Sequence, residues 1–284
     1  MKREHILRYI ASDVWLIEYA QLAAIVEVVL HGPIVADFPK VQHEATESPK
    51  GLALIPVTGT ISPKANMMTA LSGGSTAVGL ENAVLAAAND PNVSSIILDL
   101  DTPGGFVEGI EEAAAVIRDV GRSKAVIGVM NHQASSGGYW TGSACTKLYA
   151  SPSSKGGSIG VATVHTWQDE ANKESKHEIL TIGERKLEVT PFGPLSDAAK
   201  AGIMENMQGV YDRFVGAVAQ HRNTTIKNVI DNFGKGASLP APKMAELGMV
   251  DDVKSLRQVV MEELQKVGRK TKFQSYLDGR KQTA

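Results

Sequence analysis

The chain has 284 residues, of which 43% are hydrophobic and 21% are charged. This composition supports one sizeable folded domain, or a domain with an arm, and excludes a globally disordered chain. Lys and Arg (29) nearly balance Asp and Glu (31), so nucleic-acid binding through bulk basicity is disfavoured, and the lone Cys145 excludes an internal disulfide.

Residues 1–50 are predicted to form a helical arm and a linker. Apolar residues recur every three or four positions in residues 1–31, which is typical of an amphipathic helix. The apolar stretch 14–30 contains Glu18 and Glu27 and is short for a bilayer, so we expect no integral membrane segment and no secretory signal. Prolines and mixed charges predict a linker over residues 32–50.

From residue 51 onward, apolar strands alternate with helical segments. We predict strands at 52–57, 95–100, 125–130, 147–150 and 159–166, and helices at 78–89, 107–120, 137–146, 195–221 and 225–233, followed by a β-branched or helical segment at 241–268. Such alternation is typical of an α/β layered fold with a largely parallel sheet.

Two glycine pairs follow predicted strands. One lies in Asp101-Thr-Pro-Gly-Gly105 and the other in Ala134-Ser-Ser-Gly-Gly-Tyr-Trp140. Glycine permits a positive φ and lets a ligand approach the backbone closely. Together the pairs can supply two N–H donors to an oxyanion, with Ser136 as the nucleophile.

A serine nucleophile needs a base, and two residue types qualify. Among the seven histidines, His165 is the best candidate because it lies in a strand-like run, whereas His132 is only four residues from Ser136 on the same loop. A lysine base must be desolvated, because a free lysine is almost entirely protonated at pH 7. Lys186 lies between an apolar strand and a Pro-Phe turn, but spacing alone does not single it out among the lysines.

Motifs of other enzyme classes are either absent from the sequence or stand in the wrong structural context. Residues 156–160 match the G-x-S-x-G nucleophile elbow with Ser158 as the nucleophile, but a loop precedes the motif and a strand-like run follows it, the reverse of what the elbow requires. There is no Walker A loop, no G-x-G-x-x-G and no Cys/His cluster with zinc-finger spacing. We therefore expect no cofactor and no metal.

The order of these motifs resembles the signal peptide peptidase A family of serine–lysine peptidases, especially its phage prohead (head-maturation) protease branch. The resemblance covers about residues 50–255. It rests on six segments: Leu54-Ile-Pro-Val-Thr-Gly-Thr-Ile61, Asp99-Leu-Asp-Thr-Pro-Gly-Gly105, Ala134-Ser-Ser-Gly-Gly-Tyr139, Gly157-Ser-Ile-Gly-Val161, Gly183-Glu-Arg-Lys186 with Pro191-Phe192, and Ala245-Glu-Leu-Gly-Met-Val-Asp251.

The resemblance implies an α/β fold of the Clp protease/crotonase type with repeated ββα units, a peptidase domain over residues 51–255, and a C-terminal helix with a basic tail over residues 256–284. It implies Ser136 as nucleophile, Lys186 as general base and Ser158 as the residue that orients the lysine. The oxyanion hole would combine the Gly137 N–H with one from the Gly104–Gly105 pair, for which Gly105 is the choice.

The implied function is cleavage of capsid, scaffold or portal proteins during phage head maturation, by a homo-oligomer that is soluble in the host cytoplasm or the procapsid. A signal-peptide-peptidase-like bacterial protease is an alternative. Three further alternatives stay open. They are crotonase-like acyl-CoA chemistry with Glu108 as the carboxylate, a Clp-type triad with His165 as base, and a non-catalytic assembly protein.

Overall fold

The computed structural model describes residues 10, 14–31, 46–48, 51–65, 69, 73–165, 182 and 193–281. Within these ranges the strands are β1 (Val14–Ile17), β2 (Thr46–Ser48), β3 (Leu52–Thr58), β4 (Ser95–Thr102), β5 (Gly104–Phe106), β6 (Ala125–Ser135), β7 (Lys147–Ala150), β8 (Lys155–Gly157), β9 (Ala162–Thr163), β10 (Ser238–Pro240) and β11 (Asp252–Val253). The helices are α1 (Tyr19–His31), α2 (Ala77–Asn89), α3 (Ile110–Val120), α4 (Gly137–Ser143), α5 (Asp197–His221), α6 (Ile226–Asn232), α7 (Ala241–Glu246) and α8 (Leu256–Lys281).

A mostly parallel sheet forms the centre of the molecule, which confirms the predicted α/β class. Its main path runs in the order β10-β8-β6-β4-β3-β2, and β7 pairs with both β6 and β11. The pairs β3–β4, β4–β6, β6–β7 and β6–β8 are parallel, while β2 and β10 run antiparallel to their neighbours. The long strand β6 pairs with β7 through its first half and with β8 through its last three residues.

Alternating side chains on the strands build one core on each face of the sheet. In β4, Ile96, Leu98 and Leu100 face the larger core, which also contains residues of α2, α3 and α5. Ile97 of the same strand faces the other side, where it joins Val259 of α8. Both faces are therefore covered by helices, as a parallel sheet requires.

Side-chain caps fix where several helices begin. Thr76 accepts a hydrogen bond from the Gly79 N–H (3.0 Å) at the start of α2, and Ser196 accepts one from the Ala199 N–H (3.1 Å) at the start of α5. Each cap satisfies a backbone donor that has no partner within the helix. The caps agree with the predicted positions of these helices to within two residues.

The N-terminal prediction was partly wrong. Residues 14–17 form strand β1 and not a helix, whereas Tyr19–His31 is helical as predicted. Tertiary pairing overrides the helical spacing here, because β1 lies between β5 and β9 in a second, three-stranded sheet. The short β5 was also unexpected, since no strand is predicted at Gly104–Phe106. The division into residues 1–50, 51–255 and 256–284 stays a prediction.

No helix in the described part of the chain is long and apolar enough to cross a membrane.

Helix α4 is held against α5 by stacked rings and by one polar pair. The rings of Trp140 and Phe214 lie 4.7 Å apart and nearly parallel. The buried Ser143 hydroxyl donates to the Trp140 carbonyl (2.7 Å) and lies 2.9 Å from Nδ1 of His221. Burial, with Arg118 and Arg222 nearby, lowers the pKa of His221 to about 4. This Ser–His pair is part of the packing, because Ser143 is fully buried within a helix.

We predict that His221 makes the fold less stable as pH falls from 7 to 5. Its pKa is about 4 in the folded chain but about 6.5 when unfolded, so in this range mainly the unfolded chain takes up the proton. The free energy of unfolding should therefore decrease with falling pH, and less steeply in His221→Gln. Urea unfolding at pH 7, 6 and 5 measures both slopes; parallel curves for the two proteins would contradict the prediction.

Candidate active site

Ser136 lies at the turn between the end of β6 and the start of α4. Its φ of 54° is in the left-handed region, which residues other than glycine seldom adopt, and the residue is 1% exposed. Its N–H donates to the Gly157 carbonyl (2.7 Å), and its carbonyl accepts from the Trp140 N–H (2.9 Å). A strained residue held from both sides between a strand and a helix is typical of a functional position.

Ser158 follows β8, directly beside this turn. The Gly157 carbonyl that accepts from Ser136 belongs to the peptide unit joining Gly157 to Ser158, and the Ser158 N–H donates to the Ala237 carbonyl (3.1 Å). The Ser136 hydroxyl lies 3.5 Å from the Gly160 carbonyl oxygen. The structure thus brings the backbones of Ser136 and Ser158 together. The predicted loop before Ser158 was wrong, because the short strand β8 (Lys155–Gly157) precedes it. The next element in the described residues is strand β9 and not the helix that a nucleophile elbow requires, so the elbow interpretation of Ser158 does not hold.

The turn from β4 to β5 brings Gly104 and Gly105 to the same place. The Thr102 hydroxyl donates to the Gly59 carbonyl (2.6 Å) and accepts from the Gly104 N–H (3.1 Å), which fixes the turn. Gly104 has a φ of 100°. A Cβ added to Gly104 would lie only 3.0 Å from the Gly137 nitrogen. The predicted oxyanion glycines Gly104, Gly105 and Gly137 are therefore neighbours in space.

Glycine is required in this cluster because there is no room for side chains. A Cβ on Gly105 would lie 1.8 Å from the Ile61 carbonyl oxygen, and one on Gly138 would lie 2.4 Å from the Thr102 methyl carbon. Such distances are impossible without moving the backbone or the neighbouring strand. The two glycine pairs bring the ends of β4 and β6 close together.

Lys186 lies outside the described residues, as do Pro191 and Phe192. Its role as a general base stays a prediction. His165, the rival base, is described: its Nε2 lies 3.1 Å from the Gly193 carbonyl oxygen. Glu108, the carboxylate of the crotonase alternative, is exposed.

Cys145 is unsuited to be a nucleophile. The residue is 5% exposed, and burial raises the pKa of its thiol to about 12. A thiol in this state is almost fully protonated at neutral pH and is not reactive.

A cleft of about 510 Å³ adjoins Ser136 through Gly160. Its walls come from the segment after β8 and from helices α5 and α6, and include Ile159, Val161, Met204, Met207, Tyr211 and Ile230. The cleft also contains the charged residues Asp231 and Lys235, and its position near a strained serine makes it a candidate binding site.

Sequence reasoning missed two features: strand β1, which pairs with Gly104 and Gly105, and the contacts of the Glu18 carboxylate. Oxygen atoms of Glu18 bind the Lys155 ammonium (3.0 Å) and the Gln133 amide, and lie 3.4 Å from the Ser238 hydroxyl. Glu18 had been considered only as a charge that disfavours a membrane span. Its role depends on contacts with residues more than 100 positions away, which no local pattern reveals.

Comparison with known proteins identifies the family of the chain. The model of Peptidase family S49 matches residues 118–270, more than half of the chain. The chain belongs to peptidase family S49. This confirms the predicted relationship and places the chain in the class of serine peptidases.

Curated relatives include phage and bacterial proteins. The chain is 28% identical over 205 residues to capsid assembly protease C of Escherichia phage lambda, covering 72% of this chain and 46% of that protein. It is 25% identical to the head-tail preconnector protein of Enterobacteria phage P21 (72% and 40% covered) and 27% identical to protease 4 of Haemophilus influenzae (75% and 34% covered). The chain therefore spans less than half the length of these three relatives.

We predict that Gly105→Ala destabilises the fold by about 1–3 kcal/mol or more, since its Cβ would overlap the Ile61 backbone. Gly216→Ala in α5 is the matched control: a Cβ there meets nothing within 4 Å, so the change should stabilise the helix by about 0.5–1 kcal/mol. Thermal and urea unfolding measure both changes. Equal stability of Gly105→Ala and the wild type would show that this turn is not packed as described.

Proposed function

We propose that the chain is a serine endopeptidase that uses a Ser–Lys dyad on a Clp protease/crotonase-type fold with repeated ββα units. Ser136 is the nucleophile, Lys186 the general base and Ser158 the residue that orients the lysine. The observation that supports this most strongly is the left-handed turn at Ser136, because it holds a serine at a strand end against the Gly104–Gly105 turn and the Gly157–Ser158 peptide unit.

In the proposed reaction the Ser136 oxygen attacks the carbonyl carbon of a peptide bond while its proton moves to the amine of Lys186. The negative charge that develops on the carbonyl oxygen is held by the N–H groups of Gly105 and Gly137. Such donors are fixed before the reaction, and losing one typically costs about 10²–10³-fold in rate. The protonated amine then gives its proton to the leaving nitrogen, and water completes the hydrolysis in a second cycle.

A lysine acts as a base only when it is kept out of water. Moving its pKa from about 10.4 to near 7 corresponds to about 4–5 kcal/mol of lost protonation free energy. A serine hydroxyl is a suitable partner because it can bind the neutral amine without restoring its charge. Ser158 is 8% exposed and its backbone adjoins that of Ser136, which supports this role for its hydroxyl.

The proposed substrates are capsid, scaffold or portal proteins of a phage head, cleaved in the procapsid or host cytoplasm by a homo-oligomer. Support comes from the relatives named capsid assembly protease C and head-tail preconnector protein. A signal-peptide-peptidase-like bacterial protease is the second candidate, because the chain is also similar to protease 4 of Haemophilus influenzae and to a putative signal peptide peptidase of Enterococcus faecium.

We predict that Ser136→Ala and Lys186→Ala each reduce peptide-bond cleavage by about 10⁴-fold or more, because the members of a catalytic unit act together. His165→Ala should retain activity within a few-fold of the wild type. Mass spectrometry of new termini in candidate capsid proteins measures cleavage, and circular dichroism checks the fold. Full activity of Lys186→Ala would refute the dyad, and inactivity of a folded His165→Ala would favour the Clp-type triad.

Covalent labelling separates the peptidase from crotonase-like chemistry. A fluorophosphonate should form an adduct on Ser136, since an activated serine attacks phosphorus and releases fluoride. Glu108→Gln should leave both labelling and cleavage unchanged. If Ser136 stays unlabelled while Glu108→Gln removes an acyl-CoA activity, the peptidase assignment fails.

A further inference from the structure

Strand β1 fills a slot between two short strands. Trp15, Leu16 and Ile17 pair antiparallel with Phe106, Gly105 and Gly104 of β5. On its other side, Val14 and Trp15 pair with Thr163 and Ala162 of β9. An extended peptide that adds itself between two strand edges binds through its main chain, which is a common way to recognise peptides.

The register places the Leu16 carbonyl at the proposed oxyanion hole. In β5, the Phe106 N–H and the Gly104 carbonyl bond to the backbone of Ile61, each at 2.9 Å. Successive residues of a strand direct their backbone groups to opposite sides. The N–H and carbonyl of Gly105 therefore face β1, where the partner residue is Leu16.

Distances from the glycines locate the same oxygen. A Cβ on Gly104 would lie 2.1 Å from the Leu16 carbonyl oxygen, and a Cβ on Gly137 would lie 3.3 Å from it. The Leu16 carbonyl oxygen is thus next to the Gly105 N–H and beside Gly137, the two residues proposed to receive the oxyanion. A substrate carbonyl at the point of attack would have to occupy this position.

The side chains of β1 are held on both faces. Leu16 is fully buried in the main core with Ile61, Ile110 and Tyr139. Trp15 and Ile17 pack on the opposite side, where the rings of Trp15 and Phe106 lie 4.0 Å apart. Leu16 therefore fills an apolar pocket in the way that the side chain preceding a cleaved bond fills a specificity pocket.

Glu18 anchors the end of the strand. Its N–H donates to the Pro103 carbonyl (2.9 Å), and its carboxylate binds Lys155 of β8 and Gln133 of β6. These two strands border the Ser136 turn. The anchor consists of side chains that the proposed chemistry does not use, so it can be loosened without changing the catalytic residues.

We propose that residues 14–17 are a built-in pseudosubstrate, which occupies the peptide-binding groove with Leu16 in the place of the residue whose carbonyl is attacked. This inference rests on the proposed peptidase function. A substrate binds only when β1 leaves the groove. The apparent Kd for the substrate is therefore the intrinsic Kd divided by the fraction of molecules whose groove is empty. The same register predicts that the groove accepts extended peptides with an apolar side chain at the Leu16 position.

The first experiment compares cleavage rates in the full-length chain. A peptide with the sequence of residues 10–22 is incubated with the wild type, with Glu18→Ala and with Glu111→Ala. The last is a matched control, because it also removes a carboxylate from an ion pair, the one between Glu111 and Arg213 (3.1 Å). Glu18→Ala should raise kcat/KM by about 5–30-fold, the effect of losing one or two charged hydrogen bonds. Glu111→Ala should stay within twofold.

The expected cleavage lies between Leu16 and Ile17 of the added peptide. Should Glu18→Ala fold poorly, Lys155→Ala removes the same ion pair from the other side, and its lysine side chain is half exposed. If Glu18→Ala or Lys155→Ala folds and has the same kcat/KM as the wild type, the pseudosubstrate proposal is overturned. Cleavage of the peptide only after charged residues would also overturn it.

A binding measurement separates this proposal from the peptidase function. In the Ser136→Ala background, fluorescence anisotropy of the labelled peptide should show about 5–30-fold tighter binding when Glu18→Ala is added. Tighter binding, together with no cleavage by the wild type or by Glu18→Ala, would support the occupancy of the groove by β1 and refute the peptidase function. Cleavage with unchanged binding would support the peptidase function and refute the occupancy.

Discussion

The hydrogen bond from the Ser136 N–H to the Gly157 carbonyl (2.7 Å) joins the ends of two parallel strands, β6 and β8, and the rest of the site depends on it. It holds Ser136 at a φ of 54°, a conformation that costs roughly 1–3 kcal/mol for a residue other than glycine. The surrounding sheet maintains this strain, since β6 is paired along almost its whole length. The same bond places Ser158 and Gly160 beside the serine.

The second feature of the site is the close backbone packing between the β4–β5 turn and the start of α4. Gly104, Gly105 and Gly138 each have a neighbouring atom where a Cβ would stand. The lack of side chains lets the β4–β5 turn lie against the start of α4, so the N–H groups proposed for the oxyanion hole belong to neighbouring segments. An anionic transition state needs such donors to be fixed in advance. The glycines thus connect a packing requirement with the proposed chemistry.

The sequence predicted the sheet well because its strands carry strong signals. Residues 95–100 contain a run of Ile and Leu that suits a buried strand. Residues 78–89 are rich in Ala and Leu and are followed by Asp90-Pro-Asn92, which ends a helix. Ser136 and the two glycine pairs were found because each follows such a strand. The sequence proposed Ser136 as the nucleophile and Gly104, Gly105 and Gly137 as oxyanion donors; these residues are neighbours in the structure, and their catalytic roles stay predictions.

The remaining features were missed for physical reasons. Strands β1 and β5 have four and three residues, too few for an alternating pattern, and they pair with each other. A strand was predicted at 159–166, where the described residues form only the two-residue strand β9. Val14 and Ile17 are three positions apart, a spacing that suits a helix equally well. The Glu18 anchor depends on Gln133, Lys155 and Ser238, which are far away in the chain. The role of Lys186 stays a prediction from family resemblance.

The most direct test of the account is a crystal structure of the chain treated with a peptide aldehyde ending in leucine. We expect a covalent bond from the Ser136 oxygen to the former aldehyde carbon, with the adduct oxygen within 3.2 Å, roughly the limit of an N–H···O hydrogen bond, of the nitrogens of Gly105 and Gly137. The inhibitor should lie between β5 and β9, with residues 14–17 displaced. An adduct on another residue, or one whose oxygen points away from both glycines, would contradict the account.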